Sequence, residues 1–194
     1  MGLNSGEQKT YLKIKDGKFY KTSDKELKNP YKSLTGVIAA MRIKMETWEN
    51  KPVEKLAVTV NSGGEFYEFA IPSDGSQFSK FLNFLSSVDI TKEVDIIPMF
   101  AVKNGKNDRS ILVSQNNKCK AYYTKDNPGD LPQLEKITFK GKDNWDNSKQ
   151  LAFWKKKLET VFFPALSGNA TPEPKVVSEP AHTPEEDEDD DLPF

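Results

Sequence analysis

Histidine and cysteine are almost missing from this chain: its 194 residues include one of each, His182 and Cys119. A single histidine among prolines near the C-terminus cannot build a Ser–His–Asp triad or a structural zinc site with the rest of the protein. A single cysteine excludes an intramolecular disulfide and a thiolate cluster, and it fits a reducing compartment. No apolar run approaches the 18 or more residues that a membrane-spanning helix needs. The N-terminal MGLNSGEQKT has no apolar signal-peptide core. Gly63-Gly64 lacks the Lys-Ser/Thr that completes a phosphate-binding loop. Asp89, Glu93 and Asp95 flank turns at a spacing that favours no metal. These absences point to a protein that is not an enzyme, carries no cofactor or metal, and does not enter a membrane.

What the chain does have is charge of both signs, kept apart. Residues 1–166 hold 27 Lys and Arg against 20 Asp and Glu. Residues 167–194 hold one Lys against nine acids. The net charge of −1 therefore hides a basic body and an acidic tail. A basic body suits a polyanion, and the tail is placed to compete for the same surface. Composition divides the chain at the same point. Residues 1–166 are long enough for one folded domain, or at most two small ones. Residues 167–184, with Pro172, Pro174, Pro180 and Pro184 among Ser, Thr and Glu, read as a flexible linker. Residues 185–194 form an acidic tip: seven consecutive acids, then Leu192, Pro193 and Phe194. The acids repel one another and stay solvated, and the apolar end suits a pocket rimmed by Lys and Arg.

The folded part reads as mostly strand. Asp16-Gly17 predicts a hairpin between Tyr11–Ile14 and Lys18–Lys21. Leu34–Trp48 reads as one long strand, with Gly36 placed to bend or bulge it. Leu56–Val60 and Glu65–Ile71 flank a turn at Ser62-Gly63-Gly64. Phe78, Phe81, Leu82 and Leu85 recur at helical spacing behind Ser76, a candidate cap. Val94–Val102 is a strand whose Pro98 asks for an edge or an irregularity. Arg109–Ser114, Lys118–Thr124 and Leu134–Phe139 are further strands, and Lys125–Gln133 is loop. A closing helix is expected over 147–163, capped by Asn144 or Asp146. Its stripe is Leu151, Trp154, Leu158, Val161 and Phe162, Lys155 to Lys157 face mostly out, and Pro164 ends it. Short strands with regular turns and two helices predict a mainly β protein, a small barrel or a curled sheet, with an α+β sandwich carrying its helices on one face as the alternative.

Within those strands, cations and aromatics share faces. Tyr11, Lys13 and Lys15 lie on one side of the first strand. Arg42, Lys44 and Trp48 share the polar side of the long strand. Lys118, Lys120 and Tyr122 share a side near the end of the body, and Tyr67 alternates with Phe66. Cys119 is expected in the core beside Ala121. Lysines that track phosphates, with aromatic rings on which bases stack, make a platform for single-stranded nucleic acid.

The terminal Asp189-Asp190-Asp191-Leu192-Pro193-Phe194 resembles the acidic tip of bacterial single-stranded DNA-binding proteins, with Leu for the usual Ile. The longer body and proline-bearing linker are closer in plan to phage-encoded members. The resemblance implies an OB-fold, a five-stranded barrel, here with added strands and two helices, followed by a disordered acidic tail. It implies a coat for single-stranded DNA in replication, recombination and repair, working in the cytoplasm of a bacterium or of a phage's host. It also implies a tip that recruits partner enzymes through its Pro-Phe end, and it leaves the oligomeric state open, a homo-oligomer included. Two other readings share parts of this chemistry: an adaptor that never touches DNA and whose tail competes for tip-binding pockets, and a binder of single-stranded RNA.

Overall fold

The alternation in the N-terminal half becomes strand almost throughout. A computed structural model of the protein describes residues 9–103, 105–139 and 142–167. Most of the expected linker and the whole tip, residues 185–194 with the candidate contact residues Asp189 to Phe194, lie outside the described residues. β1 (Lys9–Lys15) and β2 (Lys18–Lys21) form the expected hairpin. Asp16 and Gly17 turn it with φ of 48° and 70°, the reversal whose twist matches paired strands. β3 (Leu34–Trp48), β4 (Lys51–Ser62) and β5 (Glu65–Pro72) follow as an antiparallel meander. β6 (Glu93–Lys103) and β7 (Lys106–Ser114) form a second hairpin. All seven join in one sheet, ordered β2-β1-β5-β4-β3-β6-β7, with β1 parallel to β5.

The sheet is curled into a half-barrel. At its open side the Asp16–Gly17 turn abuts β6, so close that a Cβ on Gly17 would stand 2.8 Å from the backbone nitrogen of Phe100. α1 (Ser76–Leu85) buries Phe78, Phe81, Leu82 and Leu85, as their spacing predicts. Ser76 is its first residue rather than its cap; Gly75 holds the cap position without a side-chain hydrogen bond. Phe81 meets Phe69 of β5 edge-on at 6.1 Å, and Phe69 meets Phe19 of β2 at 5.2 Å. Pro98 lies on β6 beyond its pairing with β3, which ends at Ile96. There β6 has only β7 beside it within the sheet, so no ladder partner on the other flank needs the N–H that proline lacks.

Two features of β3 and β4 differ from the sequence reading. β4 begins at Lys51, well before Leu56. Glu49 and Asn50, with φ of 48° and 62°, make a tight reversal; Asn suits the left-handed region, whereas Glu at the other position gives no turn signal. The hairpin thus runs past the core: Ile43 and Met45, on its core-side pleat, are exposed. The register shift expected at Gly36 falls between Ile38 and Ala40. Gly36 answers a different need, since a Cβ there would stand 2.3 Å from the Asn61 carbonyl oxygen of β4.

The C-terminal helix does not end at Pro164. α2 (Ser148–Lys157) passes into a π-helical turn (Leu158–Phe162) and then α3 (Phe163–Ser167). The wide turn frees carbonyls that proline would otherwise clash with, and Pro164 sits in the first turn of the new segment. The extra residue per turn also rotates the stripe: Trp154, Leu158 and Phe162 stay buried, while Val161 is exposed. Asn147 occupies the N-cap position, and the Asp146 carboxylate accepts a hydrogen bond from the Ser148 N–H at 2.8 Å. Before the helix, β8 (Glu135–Phe139) and β9 (Lys142–Asp146) form a separate two-stranded sheet. Among the described residues no helix is long and apolar enough to cross a membrane.

Candidate nucleic-acid interface

Strand pleating decides which side chains of the sheet meet. Leu56, Val58 and Val60 of β4 are fully buried, so Ala57, Thr59 and Asn61 point outward. The register carries that assignment across the sheet. Thr59 is opposite Glu68 on β5 and Ala40 on β3; Ala57 is opposite Arg42, and Lys55 opposite Lys44. Glu68 is in turn opposite Tyr11 of the parallel β1. Tyr11, Lys13 and Lys15 of β1 therefore share one outer face with Arg42, Lys44 and Trp48 of β3. Two of the three faces expected from sequence are one surface.

Glu68 organises its centre. Its side chain is 2% exposed, yet three cations from two strands converge on it. Arg42 Nη2 donates to its Oε2 at 3.1 Å, Lys44 Nζ is 3.6 Å from its Oε1, and Lys9 Nζ is 3.9 Å from its Oε2. Thr59 Oγ1 adds a long hydrogen bond of 3.4 Å. One buried carboxylate fixes three cationic heads and leaves a local excess of positive charge. Further along β3, Glu46 accepts from Lys44 at 2.8 Å and from Lys55. Those two hydrogen bonds hold the Glu46 carboxyl below its ordinary value of 4.5.

Aromatic rings stand at the ends of this cationic patch. Tyr11 is half exposed beside Glu68, and Phe66 lies beyond it, opposite Lys9. At the far end of the β3–β4 hairpin Trp48 is 65% exposed and pairs across the strands with Lys51. Lys13 is tied at its tip, donating from Nζ to the Asp24 carbonyl at 3.2 Å. On β6 the same outer face turns acidic: Glu93 and Asp95 lie on its outward positions, and Asp95 accepts from Thr35 Oγ1 at 2.5 Å. The positive region is thus a band over β2, β1, β5, β4 and β3. Lys9, Lys51, Lys55 and Glu68 belong to it and escaped the sequence reading, and Phe66 rather than the expected Tyr67 is the aromatic that β5 turns to this face. Only the register reveals them, because Glu68 and Phe66 sit in a strand with aromatics on both faces.

Tyr67 is not part of this face. It points to the opposite side of β5 with Phe69, and it is only partly exposed. Its hydroxyl donates to Glu65, a bond that raises the phenol's pKa. With Leu12, Phe19, Tyr31 and Leu34 it lines a cavity of about 280 Å³.

Lys118, Lys120 and Tyr122 do not share a strand either. Asn116 and Asn117, both at positive φ, reverse the chain after β7, and pairing stops at one bridge between Gln115 and Lys118. The segment then bonds to α1 instead of to a strand. Tyr122 N–H donates to the Asn83 carbonyl at 3.2 Å, and Asn83 exchanges side-chain hydrogen bonds with the Tyr123 backbone at 2.7 and 2.9 Å. With no pleat to bury it, Cys119 is exposed rather than in the core. Lys120 and Tyr122 line a separate cavity of about 720 Å³ with Ser86 to Asp89 and Asp130. No residue of β1 to β5 contributes to it.

Tyr123 anchors this loop. Its ring packs edge-on against Trp154 at 5.7 Å and Phe153 at 5.8 Å. Burial, with the bond to Asp130 at 2.6 Å, drives its phenol far upward, and the same bond holds Asp130 below its ordinary value. Lys157, expected outside, lies 4.8 Å from the Tyr123 ring centre and 5.0 Å from that of Tyr122. Burial lowers its ammonium pKa. Among the described residues no group of acids, cysteines and histidines is arranged to hold a metal ion. No protein family matches this chain, and no match is found among curated proteins or solved structures.

Proposed function

We propose that the protein binds single-stranded DNA on the outer face of β1, β5, β4 and β3, without catalysing a reaction. The observation that carries this reading is the convergence on one surface of Lys9, Arg42 and Lys44 around Glu68, with Tyr11 and Trp48 at its margins. Phosphates would exchange with the Glu68 carboxylate for cations already held in place, and bases would stack on the exposed rings. Each neutralised phosphate releases counterions, so binding falls steeply with salt.

An OB-fold is part of the same proposal. The order β5-β4-β3-β6-β7, with α1 between β5 and β6, supports it: these would be the five barrel strands, with the helix between the third and fourth. β1 and β2 are then additions that occupy the side where such a barrel closes. The acidic tip, Asp189 to Phe194, would recruit replication, recombination or repair enzymes. While DNA is absent, its acids would lie over the cationic band.

The test is fluorescence anisotropy of labelled oligo(dT) from low to high salt, with full-length protein and with residues 185–194 removed. The reading expects salt-sensitive binding that strengthens on truncation. No binding at low salt refutes the DNA interface, and unchanged affinity on truncation refutes the masking role of the tail. A matched RNA oligomer as competitor settles which nucleic acid is preferred. Loss of partner capture on deleting Phe194 is expected for the tip, and retained capture refutes its role.

A further inference from the structure

The sheet formed by β8 and β9 stands apart from the seven-stranded sheet, and it carries Trp145, 66% exposed. The register places Trp145 opposite Lys136 and Asn144 opposite Ile137. One face therefore offers an indole beside an ammonium group. The other face carries Glu135, which pairs with Lys149 in the first turn of α2 and ties the hairpin to the helix. An isolated two-stranded hairpin is marginal in water. Leaving a tryptophan uncovered on one, when burial would stabilise it, marks a ring placed for contact.

The same arrangement occurs at the tip of the β3–β4 hairpin, where Trp48, 65% exposed, lies opposite Lys51. No other tryptophan is exposed, since Trp154 is buried. Both exposed tryptophans thus have a cross-strand lysine, each on a hairpin that projects from the core. A ring face with an adjacent cation suits an unpaired base and its phosphate.

We infer that Trp145 and Lys136 form a second stacking point for the same single strand, separate from the β1-β5-β4-β3 face. This inference rests on the single-strand reading above and extends it. α2 connects the hairpin to the large sheet from the side opposite the main face: it begins two residues after β9, and Lys155 in its last turn pairs at 2.7 Å with Glu54, which lies opposite Met45 on the core-side pleat of β4. A strand crossing from the main face to the hairpin must therefore be longer than one that fills the main face alone.

Oligomer length provides the test. The wild-type chain, Trp145→Ala and Trp48→Ala are titrated with oligo(dT) of about six and of about twenty-five nucleotides, lengths chosen around the 4–16 nucleotides that one such platform covers. Trp145→Ala should bind the short oligomer as wild type does and lose about 5- to 150-fold on the long one. Trp48→Ala should lose affinity for both. In Trp48→Phe, where Trp145 is the only exposed indole, the long oligomer should quench fluorescence and the short one should not. If wild type binds both oligomers and Trp145→Ala matches it on both, the second point is refuted while the main interface stands. Equal losses on short and long oligomers place Trp145 in the main site and also refute it. If wild type binds neither oligomer at low salt, the failure lies with the single-strand reading and both proposals fall.

Discussion

Removing Arg42 and Lys44 in the wild-type chain would leave buried Glu68 only the more distant Lys9 and a long bond from Thr59, and stripping partners from a buried charge costs up to about 3–5 kcal/mol. The informative comparison is therefore Glu68→Gln against Glu68→Gln/Arg42→Gln/Lys44→Gln. These two proteins differ by two cations and share a neutral centre. On a single strand each neutralised phosphate contributes about 0.7 to the slope of log K against log salt. Two lost contacts should flatten the slope by about 1.4. At about 0.1 M salt each contact is then worth about 5-fold, so the triple variant should bind oligo(dT) about 25-fold more weakly. The difference should vanish near 1 M salt. Anisotropy titrations at several salt concentrations read both quantities, and urea denaturation checks that both proteins are folded. A loss of the same size at every salt concentration would mean the mutations damage shape rather than phosphate contacts. An unchanged slope would mean that the strand does not cross these residues. Either result refutes the argument.

Gly36→Ala should destabilise the fold by about 3 kcal/mol or more, because its Cβ would stand 2.3 Å from a backbone oxygen that cannot move without shifting β4; urea denaturation measures the loss. Glu54 is held below its ordinary 4.5 by hydrogen bonds from Lys155 and Ser73. Its contribution is thus present above pH 4.5 and lost as pH falls through the lower folded value, so stability on acidification below pH 4.5 should fall more steeply in wild type than in Glu54→Gln. Cys119 should react with a thiol reagent in the native state without denaturant, and protection until unfolding would contradict its exposure.

Local turn chemistry and strict alternation were legible from sequence. Asp16-Gly17 named its hairpin, and Phe78 to Leu85 named both a helix and its buried face. The start of β4 was not legible, because Lys51 to Lys55 extends beyond the core and carries no apolar alternation. Nor was the loop at Lys118 to Thr124, where α1 takes the backbone bonds that a strand partner would have taken. The cation–aromatic pairs on β1 and β3 were visible one strand at a time. Their union required β1 to run parallel to β5, a long-range pairing that no local pattern encodes. Glu68 was invisible for the same reason: its neighbours in space are 24 to 59 positions away in sequence or lie on other strands. β9 was missed because its residues are polar and its tryptophan contributes little to any core.

The outermost strand beside β1 is only four residues long and begins and ends with lysine, Lys18 and Lys21. A rim so short and so charged is a poor template for a neighbouring chain to knit onto. On it Phe19 already exchanges both backbone hydrogen bonds with Tyr31, which leaves still less of the rim open.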